Sequence, residues 1–77
     1  MSIKVRYFAS LKDRVGRPED ELNDITSATV LEIWLHANPS LNVPDNTLAA
    51  VNMAYAGFDS LVKDGDEVAF FPPVTGG

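Results

Sequence analysis

Apolar and polar residues alternate along positions 3–8, with Ile3, Val5 and Tyr7 on one side and Lys4 and Arg6 on the other, a period of two that predicts a half-buried strand. Phe8 falls on the polar side, an aromatic ring where a solvated face would carry a polar group. Positions 10–15 fit a short helix that Gly16 ends and Pro18 keeps from resuming. Positions 19–25 are acidic with only Leu22 and Ile25 apolar, which predicts a weak edge strand. Thr29 and Glu32 have the spacing of a capping box, and Val30, Ile33, Trp34 and Ala37 then recur on one helical stripe opposite Glu32 and His36. That helix ends near Pro39, and positions 38–46 have the Pro, Asn and Asp content of a loop. Positions 47–52 and 53–56 read as two short paired strands turning near Asn52. Asp64-Gly65 marks a turn before positions 67–71, the strongest strand pattern, with Val68 and Phe70 on one face and Glu67, Ala69 and Phe71 on the other. Pro72 and Pro73 stop it, because neither donates a ladder hydrogen bond. The element order predicts an α+β roll: a mixed five-stranded sheet, one main helix and one short helix. Its expected core is Ile3, Val5, Val30, Ile33, Trp34, Val51, Val68 and Phe70.

Seventy-seven residues allow one small domain, here expected over 1–73, with 74–77 as a flexible tail. The chain has no cysteine, which excludes disulfides, thiol nucleophiles and iron–sulfur clusters. At 45% hydrophobic and 22% charged residues it is too apolar for a disordered segment, so it must fold on packing alone. Its net charge of −5 makes it a poor partner for nucleic acid. The charge is uneven: Lys4, Arg6, Lys12, Arg14 and Arg17 oppose only Asp13 in the first 17 residues, so a basic partner surface would face the acidic remainder. The N-terminal segment lacks a continuous apolar stretch and no run is long enough to span a membrane, which leads to the expectation of a cytoplasmic protein.

Side chains for catalysis are scarce. His36 is the only histidine and sits on a polar helix face, with no second histidine to build a metal site. Asp64, Asp66 and Glu67 lack the spacing of a calcium loop and read as turn formers. No Gly-rich loop opens a helix as a phosphate cradle would. No metal and no bound cofactor are expected, and a free-standing enzyme is disfavoured. What remains is the ending Phe70-Phe71-Pro72-Pro73-Val74-Thr75-Gly76-Gly77. Four extended residues past Pro73 reach about 13 Å, and two glycines leave the terminal carboxylate unhindered. If the first and last strands are neighbours, the rings of Phe8 and Phe71 lie together as an exposed docking face.

Leu48-Ala49-Ala50-Val51-Asn52 and the run from Asp64 to Gly77 resemble the small, sulfur-carrying subunits of molybdopterin synthase, and Tyr7-Phe8-Ala9 leading to Val15-Gly16 is similar to that family's N-terminal strand and short helix. The resemblance implies the ubiquitin-like β-grasp fold and a carrier mechanism. Gly77 would be adenylated by an ATP-dependent E1-like enzyme and converted by a sulfur donor to a thiocarboxylate. Val74, Thr75, Gly76 and Gly77 would then insert into the synthase large subunit, which holds the catalytic side chains. There sulfur would pass to cyclic pyranopterin phosphate, a step of molybdenum cofactor biosynthesis. Phe8, Phe71, Pro72 and Pro73 would contact that partner. Tyr55, on the partner-facing side, and Trp34, on the helix, depart from the residues the resemblance leads one to expect. The same tail chemistry serves sulfur carriers for thiamine or transfer-RNA thiolation and ubiquitin-like protein modifiers; a non-covalent ubiquitin-like binding module is the alternative of a different class.

Overall fold

A computed structural model describes residues 1–73, and the expectations for Val74, Thr75, Gly76 and Gly77 lie outside the described residues. The chain runs β1 (Ile3–Tyr7), α1 (Ser10–Val15), β2 (Glu19–Leu22), β3 (Ser27–Thr29), α2 (Val30–Ala37), β4 (Leu48–Val51), β5 (Ala54–Ala56), β6 (Leu61–Lys63) and β7 (Glu67–Phe71). Five strands form a mixed sheet in the order β2-β1-β7-β4-β5, and β3 and β6 form a separate two-stranded sheet. The first and last strands are neighbours and parallel, with Val5 opposite Val68 and Tyr7 opposite Phe70. The other pairings of the main sheet are antiparallel. This is the ubiquitin-like β-grasp arrangement, a sheet wrapped on one side around a single main helix.

The mixed five-stranded sheet is the one expected from the sequence; the small sheet adds β3 and β6, two strands that the pattern had no place for. Each has three residues and one buried side chain, Ala28 and Val62, which face each other in register. Three residues are too few to display an alternation. The predicted edge strand at 19–25 stops at Leu22, and Asp24 takes a left-handed conformation (φ 68°) that ends the extension. β2 is nevertheless an edge strand of the main sheet, as expected.

Helix α2 starts as its sequence requires. The Thr29 hydroxyl accepts from the Glu32 N–H (3.2 Å), and the Glu32 carboxylate accepts from the Thr29 N–H (2.8 Å), which holds that carboxyl below its ordinary range. Val30, Ile33 and Trp34 are fully buried against the sheet. The Trp34 ring meets Phe70 edge-on at 5.0 Å and Tyr7 edge-on at 5.9 Å, and its N–H donates to the Leu41 carbonyl (2.7 Å). Phe58 and Tyr7 each stack on Phe70, with ring centroids 6.2 Å apart. Of the core read from the sequence, only Val51 is half-buried rather than buried; Tyr7, Leu11, Ala28, Ala49 and Val62 complete it.

A polar cluster closes the rim of this core. Asp20 lies on the inward face of β2 opposite Val5, and it accepts from the Tyr7 hydroxyl (2.8 Å) and from Nε of Arg17 (2.7 Å). Arg17 also donates to the Ala37 carbonyl (2.8 Å) and the Asn38 side chain (2.9 Å), which satisfies the C-terminal end of α2. The Asn38 amide donates to the Tyr7 hydroxyl (3.0 Å). Among the described residues, no buried side-chain polar atom lacks a partner. Burial, and then the hydrogen bond to Asp20, push the Tyr7 phenol up to about 12. Burial alone would raise the Asp20 carboxyl, but hydrogen bonds from Arg17 and Tyr7 and the Arg17 charge together hold it below the ordinary value.

Replacing Arg17 by Met should therefore destabilise the fold by about 2 kcal/mol, because it strands Asp20 and the end of α2. For Asp20, with a lowered folded pKa, the stabilisation is present above the ordinary carboxylate range and lost as pH falls. Urea melts at pH 3 and pH 7 should thus show wild type and variant converging in acid. For Tyr7 the sign is opposite: its preference for the protonated form stabilises below about pH 10 and is lost as pH rises towards 12. A Tyr55→Phe protein, with Tyr7 as its only tyrosine, should show phenolate absorbance appearing near pH 12 while folded.

The two faces of β7 give a second test. Phe70 is fully buried and Phe71 only half-buried. Phe70→Ala should cost about 3–5 kcal/mol in chemical denaturation, and Phe71→Ala less than half of that.

Candidate functional site

The sheet face away from α2 is where the strand alternation and the burial part company. β1 sends Lys4 and Arg6 to it, β7 sends Glu67, Ala69 and Phe71, β4 sends Leu48 and Ala50, and β5 sends Tyr55. One end of this face is ionic, since Lys4 and Arg6 lie opposite Glu21 and Glu19 of β2. The other end is apolar. Ala50 and Ala69, paired across β4 and β7, form the floor of an open groove of about 370 Å³. Phe71 and Tyr55, their rings 5.8 Å apart, flank it on one side, and Met53, in the β4–β5 turn, lines it at the Glu67 end. Phe8 and Arg6 flank it on the other, the guanidinium lying over the Phe8 ring at 5.4 Å.

Phe8 and Phe71 thus meet on one face, as expected from the alternation and the pairing of the first and last strands. Phe8 keeps its place because its N–H continues the ladder to the Phe70 carbonyl (3.1 Å). The chain then turns through Ala9 at φ 53° and ψ −129°, a backbone an L-residue adopts at a cost of about 1–3 kcal/mol. Tyr55, 77% exposed, stands on this face; Trp34 is core, as its stripe implied. His36 is exposed.

Pro72 and Pro73 lie elsewhere. They line a neighbouring depression with Ser10, Arg14 and Asp45, at the point where β7 releases the chain. Pro72 is half-buried and Pro73 exposed. Sequence reasoning did not single out Ala50, Ala69, Arg6 and Met53 as parts of the groove. Two of them carried a signal: an alanine between large residues on the outer positions of β4 and β7 leaves a hollow. Met53, taken as the start of a strand, is instead the second residue of the β4–β5 turn, with φ 71°. The first, Asn52, is bound to Asp66 and Glu67, and Asp66 is held below the ordinary carboxylate range by the Lys63 N–H and then by Asn52.

The ionisable residues that line the groove are Arg6, Tyr55 and Glu67. Its shape and apolar floor suit the side chains of another protein. No helix among the described residues is long and apolar enough to cross a membrane.

Comparison with known proteins finds relatives of this small folded body. Residues 5–77 match the ThiS family. The chain is 42% identical to the molybdopterin synthase sulfur carrier subunit of Escherichia coli strain K12, over 97% of this chain and 99% of that one. It is 37% identical to the subunit of the same description from Chlamydomonas reinhardtii, covering both chains in full. Among solved structures, SAMP1, the small archaeal modifier protein 1 of Haloferax volcanii, superposes with a TM-score of 0.77 at 27% identity, again over the whole of both chains. The chain therefore belongs to the ThiS family, alongside the molybdopterin synthase sulfur carrier subunits.

Proposed function

We propose that this protein is the sulfur carrier of a molybdopterin synthase, with Gly77 as the residue that bears the sulfur. The observation that carries this reading is the placement of β7. It is the central strand, its Phe71 lines an apolar groove that nothing in the described chain fills, and the sequence continues from it directly into Pro72-Pro73 and the Gly-Gly ending. The likeness to subunits of that description supports it.

A terminal carboxylate, with a pKa near 3.5, is ionised at neutral pH and resists nucleophiles. An ATP-dependent adenylating enzyme overcomes this. A Gly77 carboxylate oxygen attacks the α-phosphorus of ATP, pyrophosphate leaves, and an acyl-adenylate remains. Sulfur at the hydrosulfide level, delivered by a donor, attacks the acyl carbon and expels AMP, which leaves the thiocarboxylate. In the large subunit the thiocarboxylate sulfur replaces an oxygen at a carbon of cyclic pyranopterin phosphate, the C–O bond breaking as the C–S bond forms, and water then cleaves the resulting thioester to restore the Gly77 carboxylate and leave the sulfur on the pterin as a thiolate. A dithiolene holds two sulfurs, so two charged carriers are consumed for each. The catalytic side chains belong to the large subunit, and the chain needs no bound cofactor of its own; ATP is used by the adenylating enzyme. Gly76 and Gly77 lack the side chains that would obstruct a narrow channel.

One observation favours a second reading. The match to an archaeal modifier protein spans the whole chain, and the same acyl-adenylate would then yield an amide bond from Gly77 to a lysine of another protein.

Intact-mass spectrometry after incubation with adenylating enzyme, ATP and a sulfide source separates the readings. The carrier gains the mass of sulfur less that of oxygen, a modifier forms higher-mass conjugates once acceptor protein is added, and an unchanged mass leaves a non-covalent binding module. Deleting Gly77, or extending the chain past it, should abolish sulfur transfer while leaving circular dichroism and melting unaltered. Docking should tell the same story from the other end: Phe71→Ala should weaken binding to the large subunit roughly ten- to hundredfold.

A further inference from the structure

Met53 is unusual on two separate counts. The first is its backbone. Val51 and Ala54 are the closing pair of the β4–β5 hairpin, so its loop is only Asn52 and Met53, and both have positive φ, 50° and 71°. Such mirror-image two-residue turns suit the strand twist, and their second position ordinarily belongs to glycine, because a Cβ crowds the backbone there. Asn52 tolerates its position and is used. Its N–H donates to the Glu67 carbonyl (2.8 Å), its side-chain oxygen accepts from the Glu67 N–H (3.0 Å), and its amide donates to Asp66 (3.0 Å). The turn is thereby pinned to the start of β7.

The second count is the side chain. Met53 is 95% exposed, more than any other large apolar residue of the described chain, and it stands at the edge of the Phe8–Tyr55–Phe71 groove. A long apolar side chain at a position where glycine makes the better turn, solvated almost completely in the free protein, gives nothing back to its own fold. Its direction is set by a pinned turn, and an unbranched thioether adapts its shape to whatever apolar surface meets it.

Resting on the carrier reading above, we infer that Met53 is a specificity-determining contact for the large subunit, reaching past the groove to an apolar patch on that partner. The occupant follows from the length of the tail. Four residues beyond Pro73 can span at most about 13 Å, so a protein that takes Gly77 into its interior must bring its surface within that distance of Pro73 and next to the Phe71 end of the groove. The patch that meets Met53 is aliphatic or aromatic rather than charged, since the thioether side chain has no group to pair with a charge and its apolar surface is almost wholly exposed.

The test compares Met53→Gly, Met53→Leu and Phe71→Ala in the full chain, measuring melting temperature alone and the dissociation constant for purified large subunit by calorimetry. Met53→Gly should raise the melting temperature by about 4 °C, because the turn relaxes, and yet raise the dissociation constant about tenfold. Met53→Leu should bind within about threefold of wild type, since it restores apolar bulk. This opposition between stability and binding is what a purely structural residue would not produce. If Met53→Gly binds like wild type while Phe71→Ala is weakened, the groove stands and the role of Met53 is overturned. If neither is weakened, the groove is not the docking face and both readings fall. A melting temperature that drops in Met53→Gly would show that the side chain packs within its own chain, and would also overturn the inference.

Discussion

The parallel pairing of β1 with β7 is the constraint on which the other features depend. It joins the two most distant segments of the chain, and its register sets Val5 against Val68 and Tyr7 against Phe70. Those four side chains make the sheet's contribution to the centre of the core, which Trp34 closes from the helix. The next residue on each strand, Phe8 and Phe71, must point the other way, because strand side chains alternate. One pairing thus builds the core on one side and brings two aromatic rings to the other. In a chain with no cysteine, nothing covalent substitutes for it.

Much of this was legible. The alternation at β1 and β7, the Thr29–Glu32 box and the Gly16 stop each rest on interactions within a few residues, so local pattern revealed them. Two features were not. β3 and β6 each bury a single side chain, and their pairing exists because the chain passes Ala28 by Val62 in space, which no local period records. The cluster of Tyr7, Arg17, Asp20 and Asn38 is likewise a product of tertiary structure. Tyr7 read as one of the residues on the apolar side of β1, where its ring is indeed buried, but the hydroxyl needed partners from β2 and from the end of α2, up to 31 residues away.

The candidate site divides in the same manner. Phe8 and Phe71 announced themselves as aromatics on polar sides of strands. The alanines beneath them gave only a conditional signal, since a small residue on an outer face marks a hollow only once its cross-strand neighbours are known to be large. Met53 was misplaced because Asn-Met lacks the glycine that usually signals a tight hairpin, although its two positive φ values are those of such a turn. The local rule failed at a residue on the edge of the groove, and a departure from local preference at such a place is itself informative.

The position of β7 has a mechanical side. A chain leaving an edge strand can be peeled away one hydrogen bond at a time when its end is pulled. Here the tail continues from a strand with β1 bonded along one side and β4 along the other. Tension applied through Pro72 along the strand axis loads both ladders together in shear, and the Tyr7–Trp34–Phe70 cluster resists the same slip from below. A pull on Pro72 along the strand axis is therefore borne by the whole body at once and not by a single ladder that could open one bond at a time.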